Sequence, residues 1–317
     1  MRKLKNVFWL AKHVLYVMIK MLKKTSCSEM EIRMHRFDTI KKRLLQLAER
    51  TEDIKAMIEI GSQARTYEKA DEYSDLDLLF VTDAVSEYLN RDDRLAQIGT
   101  IKISFVEPTL GGASERRILF DGSLDVDLVV LTPEQCREMI ENHIADAILG
   151  RGCQVLYDVM DVSEKIEKIA LSELVYTEVV EKEFVNMVND FWYHVVWTAK
   201  KADRGEIWTA KMCLDNYMKH QLLRMMEWHH KSLYGERYDV WHDGRFLEKW
   251  ADGDIVKRLA GCFARYDKKE IGQALAETAE LFGRMAKICA EKKQWHYPQE
   301  AEAYAKTAAF GDGGIND

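Results

Sequence analysis

The chain has 317 residues, 47% hydrophobic and 31% charged, the composition of a soluble globular protein long enough to bury the cores of two ordinary domains. A formal net charge of −7 argues against a surface built on phosphate backbones, so no nucleic-acid partner is expected and a cationic one fits better. Six scattered cysteines without C-x-x-C spacing indicate neither a disulfide framework nor a zinc ribbon, and point to the reducing cytoplasm.

The first 24 residues, MRKLKNVFWLAKHVLYVMIKMLKK, carry seven Lys or Arg and no acid. Their longest uncharged run is far short of the roughly 20 residues of a bilayer span, and no small-residue cleavage site follows. The expectation over 1–33 is a basic, helical extension, packed on the body of the protein or in weak contact with an anionic membrane surface through residues 1–24.

FDTIKKRLLQLAER, 37–50, has apolar residues at helical spacing. After it come short apolar runs ended by turn residues, AMIEI, LDLLFVTD, IKISFVE, RRILF and LDVDLVVL, which predict the strands of an α/β domain over 34–152. Thr132 and Pro133 then open a helix as N-cap and first helical residue. No proline occurs between Pro133 and Pro298, and EKIEKIALSELVYTEVVEKEFVNMVNDFWYHVVWTAKK and EIWTAKMCLDNYMKHQLLRMMEWHH show i, i+3, i+4 spacing. These predict a helical bundle domain over 153–317.

The chemistry is concentrated near residue 60. Gly61-Ser62 follows the strand MIEI directly, as a sharp strand-to-helix turn does, and such a turn offers backbone N–H groups to phosphate oxygens. Ser62 adds a hydroxyl, and Arg65 a fork suited to phosphate. Asp75 and Asp77 open the next strand, where period-2 geometry sends both carboxylates to one side. Like charges so placed call for a cation between them, and Mg²⁺ takes oxygen ligands alone. A third carboxylate comes from LDVDLVVL. Strand parity does not choose between Asp125 and Asp127; Asp127, embedded in VDLVV, is favoured over Asp125 beside the turn DGS. Asp252 and Asp254 read as turn acids, and His229-His230, without a third ligand at metal spacing, as surface or helix-end residues.

GSQARTYEKADEYSDLDLLF resembles the signature of DNA polymerase β-type nucleotidyltransferases: Gly-Ser, a spacer, Asp-x-Asp and a later strand carboxylate. The segment 190–230 is similar to that of aminoglycoside (streptomycin) 6-adenylyltransferases, through Asp190, Phe191, Trp192, Lys200, Arg204, Glu206, Leu222, Leu223, Arg224, Met225 and Trp228. HYPQEAEAYAK resembles the family's ending, and the likeness covers roughly 34 to 310. It departs at Gln63, where the family usually has arginine.

The resemblance implies a polymerase β-like domain with a mixed sheet, followed by the helical bundle. Asp75, Asp77 and Asp127 would be catalytic and hold Mg²⁺; Gly61, Ser62, Arg65 and Lys200 would bind ATP; Asp127 would take the acceptor proton. AMP would pass to a hydroxyl of a polycationic aminoglycoside such as streptomycin, an antibiotic-resistance activity, with Glu178, Glu183, Asp190 and Trp192 as acceptor-binding candidates. Another small molecule, a tRNA end or a protein hydroxyl is the alternative acceptor, a non-catalytic nucleotide-binding protein the other reading, and a monomer or dimer the expected state.

Overall fold

The computed structural model describes residues 37–65, 67–109, 111–171 and 178–311; the basic extension over 1–33 lies outside them. The chain divides into two compact units between Val175 and Tyr176.

In the first unit, helix α1 covers 37–50, as its spacing predicts. Strand β1 (Ile54–Ile60) runs straight into a single helical turn, α2 (Gly61–Ala64). There follow β2 (Leu76–Thr82), α3 (Val85–Asn90), β3 (Ile101–Pro108), β4 (Ser114–Phe120) and β5 (Leu124–Leu131). Helices α4 (Pro133–Glu141) and α5 (Asp146–Leu149), strand β6 (Gln154–Asp158) and α6 (Ser163–Ala170) complete the unit. Thr132 caps α4 in a full capping box with Gln135.

The six strands form one mixed sheet in the order β3-β4-β5-β2-β1-β6. The β2–β5 junction is parallel; the other pairings are antiparallel. One face packs under α1, where Phe37, Ile40, Leu44 and Leu47 meet Ile54, Met57, Leu76, Leu78 and Phe80. The other face buries Ala56, Ile58, Ile60, Leu79 and Val81 with Cys136, Met139, Ile140, Leu149 and Ile166 of α4, α5 and α6. The central strand β2 is therefore apolar on both sides, and only its opening end, where Asp77 stands, is left for polar groups.

The structure extends this unit beyond the sequence-based limit at 152. QVLYD pairs antiparallel with β1 as an edge strand, Ala56 opposite Asp158. Five residues with no clear alternation carry little periodic signal, so tertiary pairing decides their conformation. Asp158 then accepts hydrogen bonds from the backbone N–H groups of Val162 and Ser163, both at 2.9 Å, and starts α6.

The second unit contains α7 (Glu181–Asp203), α8 (Ile207–Met212), a π-helical turn at Cys213–Tyr217, α9 (Met218–Tyr234), α10 (Leu247–Trp250), α11 (Gly253–Leu259), α12 (Lys268–Lys293) and α13 (Gln299–Phe310). Helix α7 packs on α12 and α13, and α9 on α12. Phe184, Phe191, Val195, Leu222, Met225, Phe282 and Met285 form the core, following the spacing that predicts these helices. The π turn separates α8 from α9 and widens the helix before Tyr217.

His229 and His230 correct the expectation of surface residues: they are 3% and 0% exposed. His230 Nε2 accepts the backbone N–H of Asp252 at 2.9 Å, and Nδ1 bonds the Met226 carbonyl at 2.7 Å, so the ring is a strut between α9 and the start of α11. Among the described residues no helix is long and apolar enough to cross a membrane.

Candidate active site

The site sits at one end of the sheet, where β1 ends and β2 and β5 begin. Ile60 is extended, and the chain then turns at Gly61 with φ +70°. A β-carbon there would overlap Asp77 Oδ2, so both the backbone conformation and the close approach of the carboxylate require glycine. Gly152, with φ +133°, packs on the far side of the elbow, where a β-carbon would lie 2.8 Å from the Ala64 carbonyl oxygen. Ser62 is buried and its hydroxyl has no hydrogen-bond partner among the described residues. A buried hydroxyl without a partner is costly, and an arriving phosphate oxygen would satisfy it. The Arg65 guanidinium donates to the Glu68 carbonyl at 2.9 Å, within the loop that follows the elbow.

Asp77 is paired in register with Ile60 on one side and with Asp127 on the other. Asp75, Asp77 and Asp127 each present a carboxylate oxygen within 4.8 Å of the others. The donor set is oxygen alone and anionic, which fits a hard divalent cation such as Mg²⁺ after small side-chain rotations. Asp125, the alternative left open by strand parity, falls outside this cluster. It is half-buried, stands in register with Leu119, and burial pushes its carboxyl up against the opposing pull of Arg117.

Asp127 is 3% exposed, and burial pushes its carboxyl up. Arg117 on β4 opposes that shift: Nε donates to Asp127 Oδ1 at 3.1 Å and Nη2 lies 2.7 Å from Oδ2. The same pair raises the Arg117 guanidinium still further above its ordinary range. Sequence reasoning missed Arg117, because RRILF signals only a strand. Alternation sends Arg116 to the opposite face, where it is buried, donates to the Tyr88 and Arg91 carbonyls and pairs with Asp92.

The acceptor-binding candidates separate in the helical unit. Asp190 and Glu183 line one cavity of about 510 Å³ with Tyr217, Gln221 and Arg224. Asp190 Oδ2 accepts from Tyr217 Oη at 2.7 Å and from Gln221 Nε2 at 2.6 Å, and Oδ1 lies 2.8 Å from His194 Nδ1. That bond, with burial, pushes the Tyr217 phenol up to about 12. Tyr217 and Gln221 escaped the sequence reading, since only the π turn aims Tyr217 at α7. Glu178 stands outside the cavity, exposed and 4.0 Å from Lys293. Trp192 stands apart from that cavity: at 1% exposure it is edge-on to Phe191 and Phe282, donates from Nε1 to Tyr297 Oη at 3.2 Å, and lines the cavity beside Lys200. Its indole is a core wedge that holds α7 to the segment before α13, which is what Phe-Trp at helical spacing supplies. Lys200 is exposed on α7 and lines a separate cavity of about 320 Å³ with Tyr193, Trp197 and Tyr304.

A mixed sheet that gathers three carboxylates beside a glycine-serine elbow, followed by a helical unit, defines the class: the protein is a nucleotidyltransferase. Residues 34–308 match the model of the family described as streptomycin adenylyltransferase, and the chain belongs to that family. It is 21% identical over 273 residues to the aminoglycoside 6-adenylyltransferase of Bacillus subtilis, covering 83% of this chain and 93% of that one. The crystal structure of an aminoglycoside 6-adenyltransferase from Bacillus subtilis matches with a TM-score of 0.41 and 20% identity over 85% of this chain and 97% of that chain. A nucleotidyltransferase-like protein from Exiguobacterium sibiricum matches with a TM-score of 0.33 and 13% identity, over 80% and 78%.

Proposed function

We propose that the protein transfers AMP from ATP to a hydroxyl of an aminoglycoside such as streptomycin, with Mg²⁺, and releases pyrophosphate. The convergence of Asp75, Asp77 and Asp127 beside the elbow carries this reading. Asp75, Asp77 and Asp127 hold the divalent cation, which when bound neutralises the phosphates and the charge that develops during transfer.

Gly61, Ser62 and Arg65 hold the β- and γ-phosphates, the buried Ser62 hydroxyl gaining a partner. The acceptor oxygen attacks the α-phosphorus as the bond to the bridging oxygen breaks, and pyrophosphate departs. Asp127 takes the proton from the acceptor hydroxyl; Arg117 occupies one lone-pair direction on each of its oxygens and leaves the others for this work. Positioning and charge neutralisation supply most of the acceleration. On the helical unit, Asp190 and Glu183 bind cationic groups of the acceptor. The net charge of −7 suits such a partner.

Labelled ATP and Mg²⁺ with a panel of aminoglycosides tests the proposal. AMP should appear on streptomycin or a close relative. Transfer to RNA or protein with none to any aminoglycoside would remove the acceptor while keeping the chemistry, and no transfer at all would leave a nucleotide-binding protein without turnover.

A further inference from the structure

The Arg117–Asp127 contact is more than a surface ion pair. The two residues are direct cross-strand partners in the β4–β5 register, and each Asp127 oxygen is met by a different nitrogen of one guanidinium. A fork bound this way fixes the plane of the carboxylate as well as its position. Asp127 is nearly inaccessible, whereas Arg117 is about one-third exposed and its third nitrogen, Nη1, lies 3.6 Å from Glu107 Oε1 on β3. Arg117 is thus a fixed positive charge in direct contact with one member of the carboxylate cluster. With it, three carboxylates present a net charge of −2; without it, −3.

We infer that Arg117 is a positioning residue of the transfer reaction: its fork sets the plane of Asp127, and its charge lowers the affinity of the three-carboxylate cluster for a divalent cation. This rests on the nucleotidyl-transfer reading of the site. The two effects pull in opposite directions when Arg117 is replaced, which separates them from simple loss of structure. Orientation is needed for the rate, because a carboxylate that rotates away from the attacking oxygen loses its alignment. Charge governs binding, because a positive group within a few ångströms of a divalent ion repels it strongly in a partly buried site.

Two substitutions distribute these properties. Arg117→Gln keeps a planar donor without the charge; Arg117→Lys keeps the charge without the fork. Mn²⁺ binding to the nucleotide-free protein is followed by the electron paramagnetic resonance signal of the free ion, and AMP transfer is measured in parallel. Arg117→Gln should bind Mn²⁺ about tenfold more tightly or better. Arg117→Lys should stay within about twofold of the wild-type affinity. Both should lower kcat about 10- to 100-fold with the KM for acceptor unchanged. Arg117→Gln with Mn²⁺ affinity equal to or weaker than wild type, or either variant with wild-type kcat, overturns the inference. A merely structural role would lower the melting temperature and could not tighten Mn²⁺ binding. Wild-type protein that binds no Mn²⁺ overturns this inference and the reading beneath it together; wild type that binds Mn²⁺ and transfers AMP, with both variants unchanged, overturns this inference alone.

Discussion

Asp77 on β2 and Asp127 on β5 are register partners across the parallel junction of the sheet. Fifty residues of sequence separate them, yet the pairing places them side by side on the face opposite α1, next to the strand end that turns at Gly61. Neighbouring carboxylates repel each other, so the arrangement costs stability except where a positive group such as Arg117 stands beside it.

Asp75→Asn and Asp77→Asn should each lower AMP transfer by about a thousandfold or more, the scale on which loss of a charge-stabilising group acts. Removing the like charge at Asp75 should leave the melting temperature equal to or above wild type. Steady-state transfer rates and thermal melts check both; wild-type activity in either variant would place the metal site elsewhere.

Gly61→Ala should destabilise the protein by more than the roughly 1–3 kcal/mol of a strained backbone position, because the new β-carbon also displaces Asp77. Gly205→Ala is the control: its φ is +76°, and among the described residues nothing lies within 4 Å of the added carbon. Urea unfolding of the two variants isolates the steric conflict, and equal destabilisation would show that Asp77 yields easily.

Asp190→Asn should raise the acceptor KM about tenfold or more, the worth of a charge-assisted hydrogen bond, with the KM for ATP unchanged. Glu178→Gln, which alters an exposed pair with Lys293 outside the cavity, should change neither. Kinetics with varied acceptor decide, and an Asp190→Asn KM within twofold of wild type would move the acceptor to another surface.

Burial, and next the neighbouring His230, push His229 down to about 4. An unfolded histidine titrates near 6.5, so between the two values the unfolded chain holds the extra proton and stability rises with pH. The contribution is fully present above about pH 6.5 and is lost as the pH falls toward 4, on the order of 3 kcal/mol. His229→Gln should flatten this part of the stability profile; unfolding free energies measured between pH 4 and 7 that keep the wild-type slope would assign it to other groups.

Much of the candidate site was legible from local sequence. MIEI-Gly-Ser reads as strand and elbow because glycine at a strand end has few other uses, and Asp75 with Asp77 reads as one face because strand parity is a local rule. The parallel pairing of β2 with β5 supplied part of what parity could not, setting Asp127 beside Asp77, and the cluster within 4.8 Å takes in Asp127 and not Asp125. Arg117, Gly152, Tyr217 and Gln221 carried no signal, since each acts on a residue distant in sequence.

Composition, period and turn chemistry determined that this chain would form a mixed α/β unit and a helical unit, with an elbow and an Asp-x-Asp strand, because those features depend on neighbours along the chain. Only the tertiary structure decided that QVLYD is an edge strand, that the two histidines are buried, and that a guanidinium from β4 grips Asp127. Those outcomes depend on which surfaces meet across many residues, and hydrophobic burial and cross-strand pairing between distant segments override local preference.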